Sequence, residues 1–544
     1  MYLDCPAPIP IERSNGAGYD QKNIKGMTVF GDSMSDFGSR AAAMYKHVLY
    51  PHSCPAWSGS TFNHSNNNWQ TFLRQSVGVF SQNSSCQQIT NSLIGGVPSL
   101  IKANDLNPSY ALGGALTGRN TYFDVLNSIG QFPSKLLKPP YAVSKLGIRS
   151  QIEHSFQSES PDLSAQLAVI WGGGNDLLAA VLQQQDLSSA FEQILNNSKA
   201  NLISLLRNSN AKTVLISSGA PTIGIVDGVS YALPYLRDLP LSWQEQIQSG
   251  AASVLHDKTH QMVEAVKKMF PYATIIPFNN EYEFNWNRFG AKLGNFRQYG
   301  IINTTDPAQQ QALLDQKDGI LYNQLPYAEL NHQCQKKRTE AGFLYFNSLH
   351  PTESGHRMLA KAIELTLEEH QAEIKSSVSQ AVFSTKESFS IGTSGNDFIT
   401  SSTHSSTLQG VEGNDILQGS AGDDDLQGGI GNDKLDGKGG SNRLNGGPGA
   451  DVFVIGLKSL VDGTQVIEDF NSEEGDRILL SPALSELVGD PFFVPTPEEW
   501  GKALTIESSK EGSLRIVISL SSINKNSGVV ILNNVNTLDL NALS

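Results

Sequence analysis

The stretch that decides the fold of the C-terminal part runs over residues 392–454 as seven units of nine residues: GTSGNDFIT, SSTHSSTLQ, GVEGNDILQ, GSAGDDDLQ, GGIGNDKLD, GKGGSNRLN and GGPGADVFV. The eighth position is apolar in every unit, even in the second, which has lost its glycines: Ile399, Leu408, Leu417, Leu426, Leu435, Leu444 and Phe453. A flexible glycine-rich linker would not keep an apolar residue at one phase throughout. We therefore predict stacked short strands whose eighth residues fill a narrow core.

This G-G-x-G-x-D-x-U-x pattern, with U apolar, resembles the RTX family of calcium-binding parallel β-helices. Glycine permits tight turns that expose carbonyls, and aspartate supplies the hard oxygen that calcium prefers. The resemblance implies a parallel β-roll with two units per turn and calcium between neighbouring loops. The candidate calcium ligands are the sixth residues, which are Asp397, Asp415, Asp433 and Asp451 in the odd units and Ser406, Asp424 and Asn442 in the even units. The odd units could therefore form up to three full sites between neighbouring turns, whereas the even units are poor in acids, so we expect lopsided calcium loading that favours the odd units.

The charge of the repeats predicts that calcium drives their folding. Residues 392–454 hold nine acids and three bases, with little apolar area besides the eighth positions. Without a cation such a segment repels itself and lacks the core to fold alone. Calcium is therefore expected as a structural cofactor, and no organic cofactor is expected.

The segments after the repeats point to a secretion route. Residues 466–470 and 476–480 look like the cap that follows RTX rolls, and the tail to Ser544 resembles the uncleaved C-terminal signal of type I secretion. The first residues show no signal peptide, and no run reaches the roughly 18 apolar residues of a membrane helix. The resemblance implies a secreted, extracellular protein whose partners include the type I secretion apparatus. The net charge of −14 argues against nucleic acid as a partner.

The chain before the repeats follows a different pattern, in which short apolar runs alternate with helical periodicity. Residues 27–30, 167–171, 213–216 and 274–276 are continuous apolar runs, which suit strands buried on both faces. Helical patterns lie around residues 191–206 and 243–270 and after Pro351. The pattern predicts an α/β domain with a mainly parallel sheet and flanking helices, whose ligands bind at the carboxyl ends of the strands.

Four short motifs along this α/β part carry the candidate chemistry. Residues 30–36 read FGDSMSD and follow the first strand, residues 110–115 read YALGGA, residues 171–176 read WGGGND, and residues 346–352 read FNSLHPT. Together they resemble the blocks of the GDSL (SGNH) hydrolase family over roughly residues 24–370. The resemblance implies that Ser33 attacks an ester carbonyl while His350 acts as its base. The oxyanion hole would be formed by the Ser33 and Gly114 backbone N–H groups and the Asn175 side chain.

One position departs from that family, which usually has aspartate three residues before the histidine. Here the residue is Asn347. Asparagine can orient the imidazole through its carbonyl oxygen but brings no charge to stabilise imidazolium. A Ser–His pair with Asn347 orienting, another carboxylate in its place, and low activity all remain open.

The sequence thus divides into an N-terminal extension (1–23), a GDSL domain (24–370), a polar serine-rich linker (371–390), the roll (391–455), and a β-rich cap with the secretion signal (456–544). The expected function is a secreted carboxylic-ester hydrolase acting on lipid at a membrane or lipid surface, as a lipase, phospholipase A or lysophospholipase. The alternatives are acyl transfer to an alcohol and a catalytically decayed calcium-binding adhesin. The four cysteines, Cys5, Cys54, Cys86 and Cys334, are as consistent with one or two disulfides as with free thiols.

Overall fold

The computed structural model describes both the α/β part and the repeats. The described residues are 24–32, 34–35, 68–76, 109–111, 115–130, 145–158, 162–217, 223–226, 229–232, 242–243, 246–247, 254–278, 353–379, 381–386, 388–402, 405–480, 504–508, 513–518, 528–533, 535, 538 and 542–543. All four cysteines lie outside these residues. We call residues 24–379 the N-terminal unit and the residues from Ala381 onward the roll.

Four strands of the N-terminal unit form one parallel sheet in the order β1-β2-β3-β6. They are β1 (Gly26–Gly31), β2 (Gln166–Trp171), β3 (Thr213–Ser217) and β6 (Thr274–Pro277). Every residue in them is buried, which is why the sequence reads as continuous apolar runs. The predicted α/β class and all four predicted strands are confirmed. A separate antiparallel hairpin is formed by β4 (Ile223–Val226) and β5 (Val229–Ala232).

Helices cover both faces of this sheet, because successive strand residues point to opposite sides. Val169 belongs to a core shared with α1 (Trp69–Ser76), α7 (Glu353–Glu369) and α8 (Gln371–Ser377), whereas the next residue, Ile170, belongs to a core shared with α3 (Ile148–Ser158), α5 (Leu187–Asn208) and α6 (His256–Met269). Two further helices, α2 (Tyr122–Ser128) and α4 (Gly174–Leu182), contact each other. The unit is a three-layer αβα sandwich. No helix among the described residues is long and apolar enough to span a membrane.

The roll consists of two facing sheets that take alternate strands along the chain. The odd sheet contains β7 (Ala381–Thr385), β9 (Asp397–Ser401), β11 (Ile416–Gln418), β13 (Lys434–Asp436), β15 (Val452–Val454) and β17 (Arg477–Leu479), all parallel. The even sheet contains β8 (Phe389–Ile391), β10 (Thr407–Glu412), β12 (Asp425–Ile430), β14 (Asn442–Asn445) and β16 (Thr464–Ile467), also parallel. A short helix, α9 (Leu457–Asp462), precedes β16.

The strand pairing confirms the period of the repeat. Leu417 pairs with Ile399 on one side and Leu435 on the other, so one turn of the roll takes 18 residues, or two units. All seven eighth-position residues are 0% exposed and share one core between the two sheets. At the far end the even sheet continues through β20 (Gly528–Leu532), β19 (Leu514–Ile518) and β18 (Leu504–Ser508), with β19 antiparallel to both neighbours.

The segment that we expected to be a linker, residues 371–390, contains one helix and two strands where the structure describes it. Helix α8 buries Ile374 in the core of the N-terminal unit, and β7 and β8 begin the two sheets of the roll. A serine-rich composition misled the prediction because β7 is held by main-chain pairing with β9, which needs few apolar side chains. The roll therefore begins at Ala381 rather than at residue 391. It also continues past residue 455, since β16 and β17 extend both sheets.

The outer face of the odd sheet packs against the N-terminal unit. The seventh residues of three odd units, Phe398, Ile416 and Val452, are buried in the same core as Leu206 of α5 and Phe270 after α6. The seventh residues of the even units are polar, and none of them is buried: Thr407, Asp425 and Arg443. At the seventh positions the odd face of the roll is thus mainly apolar and covered by the N-terminal unit, whereas the even face is polar.

Two buried lysines donate hydrogen bonds across this interface, one from each side. Lys212, just before β3, donates from Nζ to the carbonyl oxygens of Asp397 (3.1 Å) and Asn414 (2.5 Å) in the roll. Lys434 of β13 donates from Nζ to the carbonyls of Leu206 (2.8 Å) and Ser209 (2.7 Å), at the C-terminal end of α5. A cation there complements the partial negative charge of the helix terminus. Burial nevertheless lowers the pKa of Lys434 to about 7.

Candidate functional site

The carboxyl ends of β1 and β2 lie side by side, since Gly31 pairs with Trp171 in the parallel register. In open parallel α/β sheets this edge carries the ligand-binding groups. The chain leaves β1 into the FGDSMSD motif and leaves β2 into the WGGGND motif, so the fold brings two of the four predicted motifs to one edge.

Of the residues predicted to act in catalysis or to form the oxyanion hole, the structure describes Asn175. Ser33, Gly114, Asn347 and His350 lie outside the described residues, so their predicted roles remain predictions. The neighbours of Ser33 on both sides, Asp32 and Met34, are described and buried.

The residues around position 33 form a turn held by side chains. Asp32 Oδ1 accepts from the Met34 backbone N–H (3.0 Å), and the Ser35 N–H donates to the Asp32 carbonyl (3.1 Å). From helix α1, Trp69 Nε1 donates to Ser35 Oγ (3.2 Å) and the Gln70 side chain donates to the Ser35 carbonyl. Asp32 therefore acts as a turn residue, and both ends of the turn are fixed.

Asn175 lies in the first turn of α4, directly after the glycines that follow β2, and is buried. Its Nδ2 donates to the Ala115 carbonyl (3.1 Å), the residue after Gly114 in the YALGGA motif. Among the described residues Ala115 is the one acceptor of this amide, which carries a second hydrogen. The arrangement suits a preorganised donor to a developing oxyanion.

The residue after Asn175 fixes the same helix start to the loop that follows Ala115. The Asp176 carboxylate accepts from the Thr117 backbone N–H (3.0 Å to Oδ2) and from Thr117 Oγ1 (2.6 Å to Oδ1). Burial raises the pKa of Asp176 to about 6, against the opposing effect of these hydrogen bonds. Burial likewise raises the pKa of Asp32 to about 7, and the charge of Asp176 adds to that increase.

The sixth residues of the odd units form a continuous ladder down one side of the roll. In each step Oδ1 of one aspartate accepts from the backbone N–H of the aspartate one turn earlier, at 2.7–2.8 Å. The members predicted from the sequence are Asp397, Asp415, Asp433 and Asp451. A fifth, Asp476, continues the ladder by accepting from the Asp451 N–H (2.8 Å).

The second carboxylate oxygens divide the sixth residues into two classes. Oδ2 of Asp415, Asp433 and Asp451 is buried and has no hydrogen-bond partner among the described residues. By contrast Oδ2 of Asp397 accepts from the Thr393 backbone N–H, and Oδ2 of Asp424, in the even column, accepts from the Ser420 N–H (2.7 Å). Three buried carboxylate oxygens on one side of the roll thus lack a donor in the part of the chain that the structure describes.

The space beside those three oxygens is kept open by glycine. A Cβ added to Gly410, Gly428 or Gly446 would lie 2.1–2.3 Å from Oδ2 of Asp415, Asp433 or Asp451 respectively. Burial raises the pKa of Asp433 to about 8 and that of Asp451 to about 9. A hard divalent cation would supply the missing partner and stabilise the ionised form, so this column fits calcium. The described residues hold no group of three His, Cys, Asp or Glu side chains that could bind a metal ion by themselves.

Comparison with known families decides the identity of both parts. A family model of GDSL-like lipases and acylhydrolases matches residues 27–363, more than half of the chain. The chain belongs to this family. A model of the RTX calcium-binding nonapeptide repeat matches residues 400–435, 409–444 and 427–454. No individual curated protein matches. Both resemblances inferred from the sequence are confirmed: a GDSL acylhydrolase domain is followed by calcium-binding RTX repeats.

Several residues of these sites escaped the sequence reasoning. Asp476 begins a D-x-U pattern like that of the repeats, but it follows Asp451 by 25 residues rather than 18, so the nonapeptide register does not reach it. Asp176 follows Asn175 directly, and its role is visible only through Thr117, which is 59 residues away. The apolar seventh positions of the odd units carried a readable signal, the contrast with the even units.

Proposed function

We propose that this chain is a secreted serine hydrolase that cleaves carboxylic esters of lipids through an acyl-enzyme on Ser33. In this proposal His350 is the general base, Asn347 orients its imidazole, and the acyl group is released to water. The N–H groups of Ser33 and Gly114 and the Asn175 side chain hold the oxyanion. The GDSL domain supports an ester-hydrolysing activity in general, and we propose lipids as the substrates.

The observation that carries the proposal is the position of Asn175. Its buried side-chain amide lies at the sheet edge where the nucleophile motif leaves β1, and Ala115 accepts one of its two hydrogens. A donor whose orientation is set before reaction stabilises developing negative charge without reorganisation. That is what hydrolysis of an ester through a tetrahedral intermediate requires.

The RTX repeats support a secreted location, since such repeats are typical of secreted proteins. We propose that the C-terminal residues address the chain to a type I secretion apparatus and that calcium outside the cell fills the roll. The substrate would then be met at a membrane or another lipid surface.

The proposal is tested by labelling the full chain in calcium with a serine-directed phosphonate, with Ser33→Ala and His350→Ala as comparisons. We expect the parent to be labelled at Ser33, no label on Ser33→Ala, and strongly reduced label on His350→Ala. Equal labelling of all three would contradict the proposal. Hydrolysis of phospholipid and triglyceride vesicles by the parent then tests the lipid substrate.

A further variant, Asn175→Ala, tests whether the Asn175 side chain takes part in catalysis. We expect it to lower kcat by about 10²–10³-fold, the usual cost of one oxyanion donor. Asn201→Ala is its control, because Asn201 is also buried and donates from Nδ2 to a carbonyl in the same loop, that of Thr117 (2.9 Å). If both variants lose activity equally, Asn175 only supports the loop.

A further inference from the structure

β1 lies at the edge of the parallel sheet formed by the described strands, with β2 on its inner side. The outer side of an edge strand presents unpaired backbone N–H and C=O groups. In this protein, hydrogen bonds from separate residues occupy the outward-facing backbone groups of β1. The Met27 carbonyl accepts from Arg74 Nη2 (3.3 Å), and the Val29 carbonyl accepts from the Tyr110 backbone N–H (2.7 Å).

The last pair of groups, on Gly31, is covered by one side chain. The Gly31 N–H donates to Gln151 Oε1 (2.8 Å), and Gln151 Nε2 donates back to the Gly31 carbonyl (2.9 Å). The primary amide thereby pairs as the peptide group of a further strand would. Gln151 is buried, so water does not replace these bonds when they are lost.

Gln151 reaches Gly31 from a rigid element. It lies in α3, whose Ile148 and Ile152 are fully buried in the core beneath the sheet. On its other side Gly31 pairs with Trp171 of β2. A Cβ on Gly31 would be 3.0 Å from the Trp171 carbonyl oxygen and 3.1 Å from Ser35 Cβ, so the backbone here has little room to shift.

We propose that Gln151 is a positioning residue for the nucleophile turn. Gln151 holds the backbone of Gly31 on one side and β2 holds it on the other. Ser33 follows Gly31 by two residues, so the position of its backbone N–H and side chain depends on this fixed point. The role of Gln151 rests on the proposed function, because it acts through Ser33. Its contribution is to the rate of attack and not to substrate binding, since a displacement of about 1 Å can cost about 10²-fold in rate.

The test compares Gln151→Met with Gln166→Met in the full chain with calcium. Methionine has nearly the same length and removes both hydrogen bonds to Gly31, together with the longer one that Gln151 Nε2 donates to the Leu146 carbonyl (3.4 Å). Gln166 is the matched control, a buried glutamine at the opposite end of the strand pair that accepts from Thr28 Oγ1 (2.6 Å) and donates to the Asp162 carbonyl (2.6 Å). We expect Gln151→Met to slow kcat and phosphonate labelling of Ser33 by about 10–100-fold with KM nearly unchanged. Gln166→Met should lower only the thermal midpoint.

A second variant covers the case in which Gln151→Met does not fold. Gln151→Glu keeps an acceptor for the Gly31 N–H and removes the donor to its carbonyl, so its labelling rate should also fall, with KM again preserved. Parent-like labelling in a folded Gln151 variant, or equal slowing in Gln166→Met, would overturn the positioning role alone. Failure of the parent to be labelled at Ser33 would overturn the proposed function and this role with it.

Discussion

Asp32 is a buried carboxyl group next to the proposed nucleophile, and its ionisation opposes folding. Burial raises its pKa to about 7 from an ordinary value near 3.8. A raised folded-state pKa means that the stabilising effect of the protonated form is complete below the unfolded value and is lost as pH rises through 7. Folding stability should therefore fall between pH 5 and pH 8 on account of this residue.

Asp32→Asn removes that dependence, because asparagine cannot ionise and its Oδ1 can still accept from the Met34 N–H. Relative to the parent, we expect the free energy of unfolding of the variant to increase by about 3 kcal/mol from pH 5 to pH 8, at about 1.4 kcal/mol per pKa unit. Urea unfolding at both pH values, with saturating calcium, measures the difference.

Asp186→Asn is the control for this change. Asp186 caps helix α5 by accepting from the Ser189 N–H (2.9 Å), which lowers its pKa. Stability from such a group is lost only as pH falls through that lowered value, so this variant should show no pH-dependent difference in the same window. A flat comparison for Asp32→Asn as well would show that Asp32 is not a source of the pH dependence.

Functional residues that belong to a local motif can be predicted from the sequence, whereas residues whose role depends on a contact with a distant part of the chain cannot. Asn175 was predicted because WGGGND follows a strand, and the structure places it at the predicted edge. Gln151 reads as an ordinary polar residue of an amphipathic helix, since its partner Gly31 is 120 residues earlier in the chain. No local pattern records a hydrogen bond over that separation.

The strands of the roll differ in how their sixth residues use the second carboxylate oxygen. Asp433 has an unpartnered buried Oδ2, whereas both oxygens of Asp424 accept hydrogen bonds within the roll. Asp433→Asn should therefore remove a calcium ligand and reduce both the stoichiometry and the affinity of calcium binding. Asp424→Asn, the matched control, should leave the stoichiometry unchanged.

Isothermal titration of the full chain with calcium measures this contrast. Equal losses of bound calcium in the two variants would contradict lopsided loading and show that both columns bind the ion. An unchanged isotherm for Asp433→Asn would remove the odd column as a calcium site.

The element scale also shows where pattern reading ends. The apolar eighth position predicted the inner row of the roll correctly in all seven units, because a period of nine survives even where glycines are lost. Pattern analysis failed over residues 371–390. There Phe383 packs against the core of the roll and Ile374 against a core of the N-terminal unit, and neither has apolar neighbours at a regular spacing. Single anchoring residues in a serine-rich segment leave no periodic pattern.

The two parts of the molecule share one hydrophobic core, which links the GDSL domain to the state of the roll. Removing calcium with a chelator should unfold the roll and uncover the end of α5 around Leu206 and the start of β3. Hydrogen exchange measured by mass spectrometry should then increase over residues 202–216 and stay low over β1. Unchanged protection over residues 202–216 would contradict this link.

Lys434→Ala tests the same link with calcium present. It removes the donor to three carbonyls at the end of α5, those of Leu206, Arg207 and Ser209, and should loosen the same peptide. Arg443→Ala is the control, since Arg443 holds the seventh position of an even unit and is exposed on the polar face. Its exchange pattern over residues 202–216 should match the parent.

The difference between the two faces of the roll constrains how its length can change in evolution. A strand that is moved along by one nonapeptide crosses to the opposite sheet, because neighbours in one sheet are 18 residues apart. Deleting a single unit, such as the fourth, would turn Lys434 and Val452 toward solvent and bring Arg443 against α5. Insertions and deletions that keep the two parts joined should therefore come in pairs of units, so homologous rolls should differ in length by multiples of 18 residues.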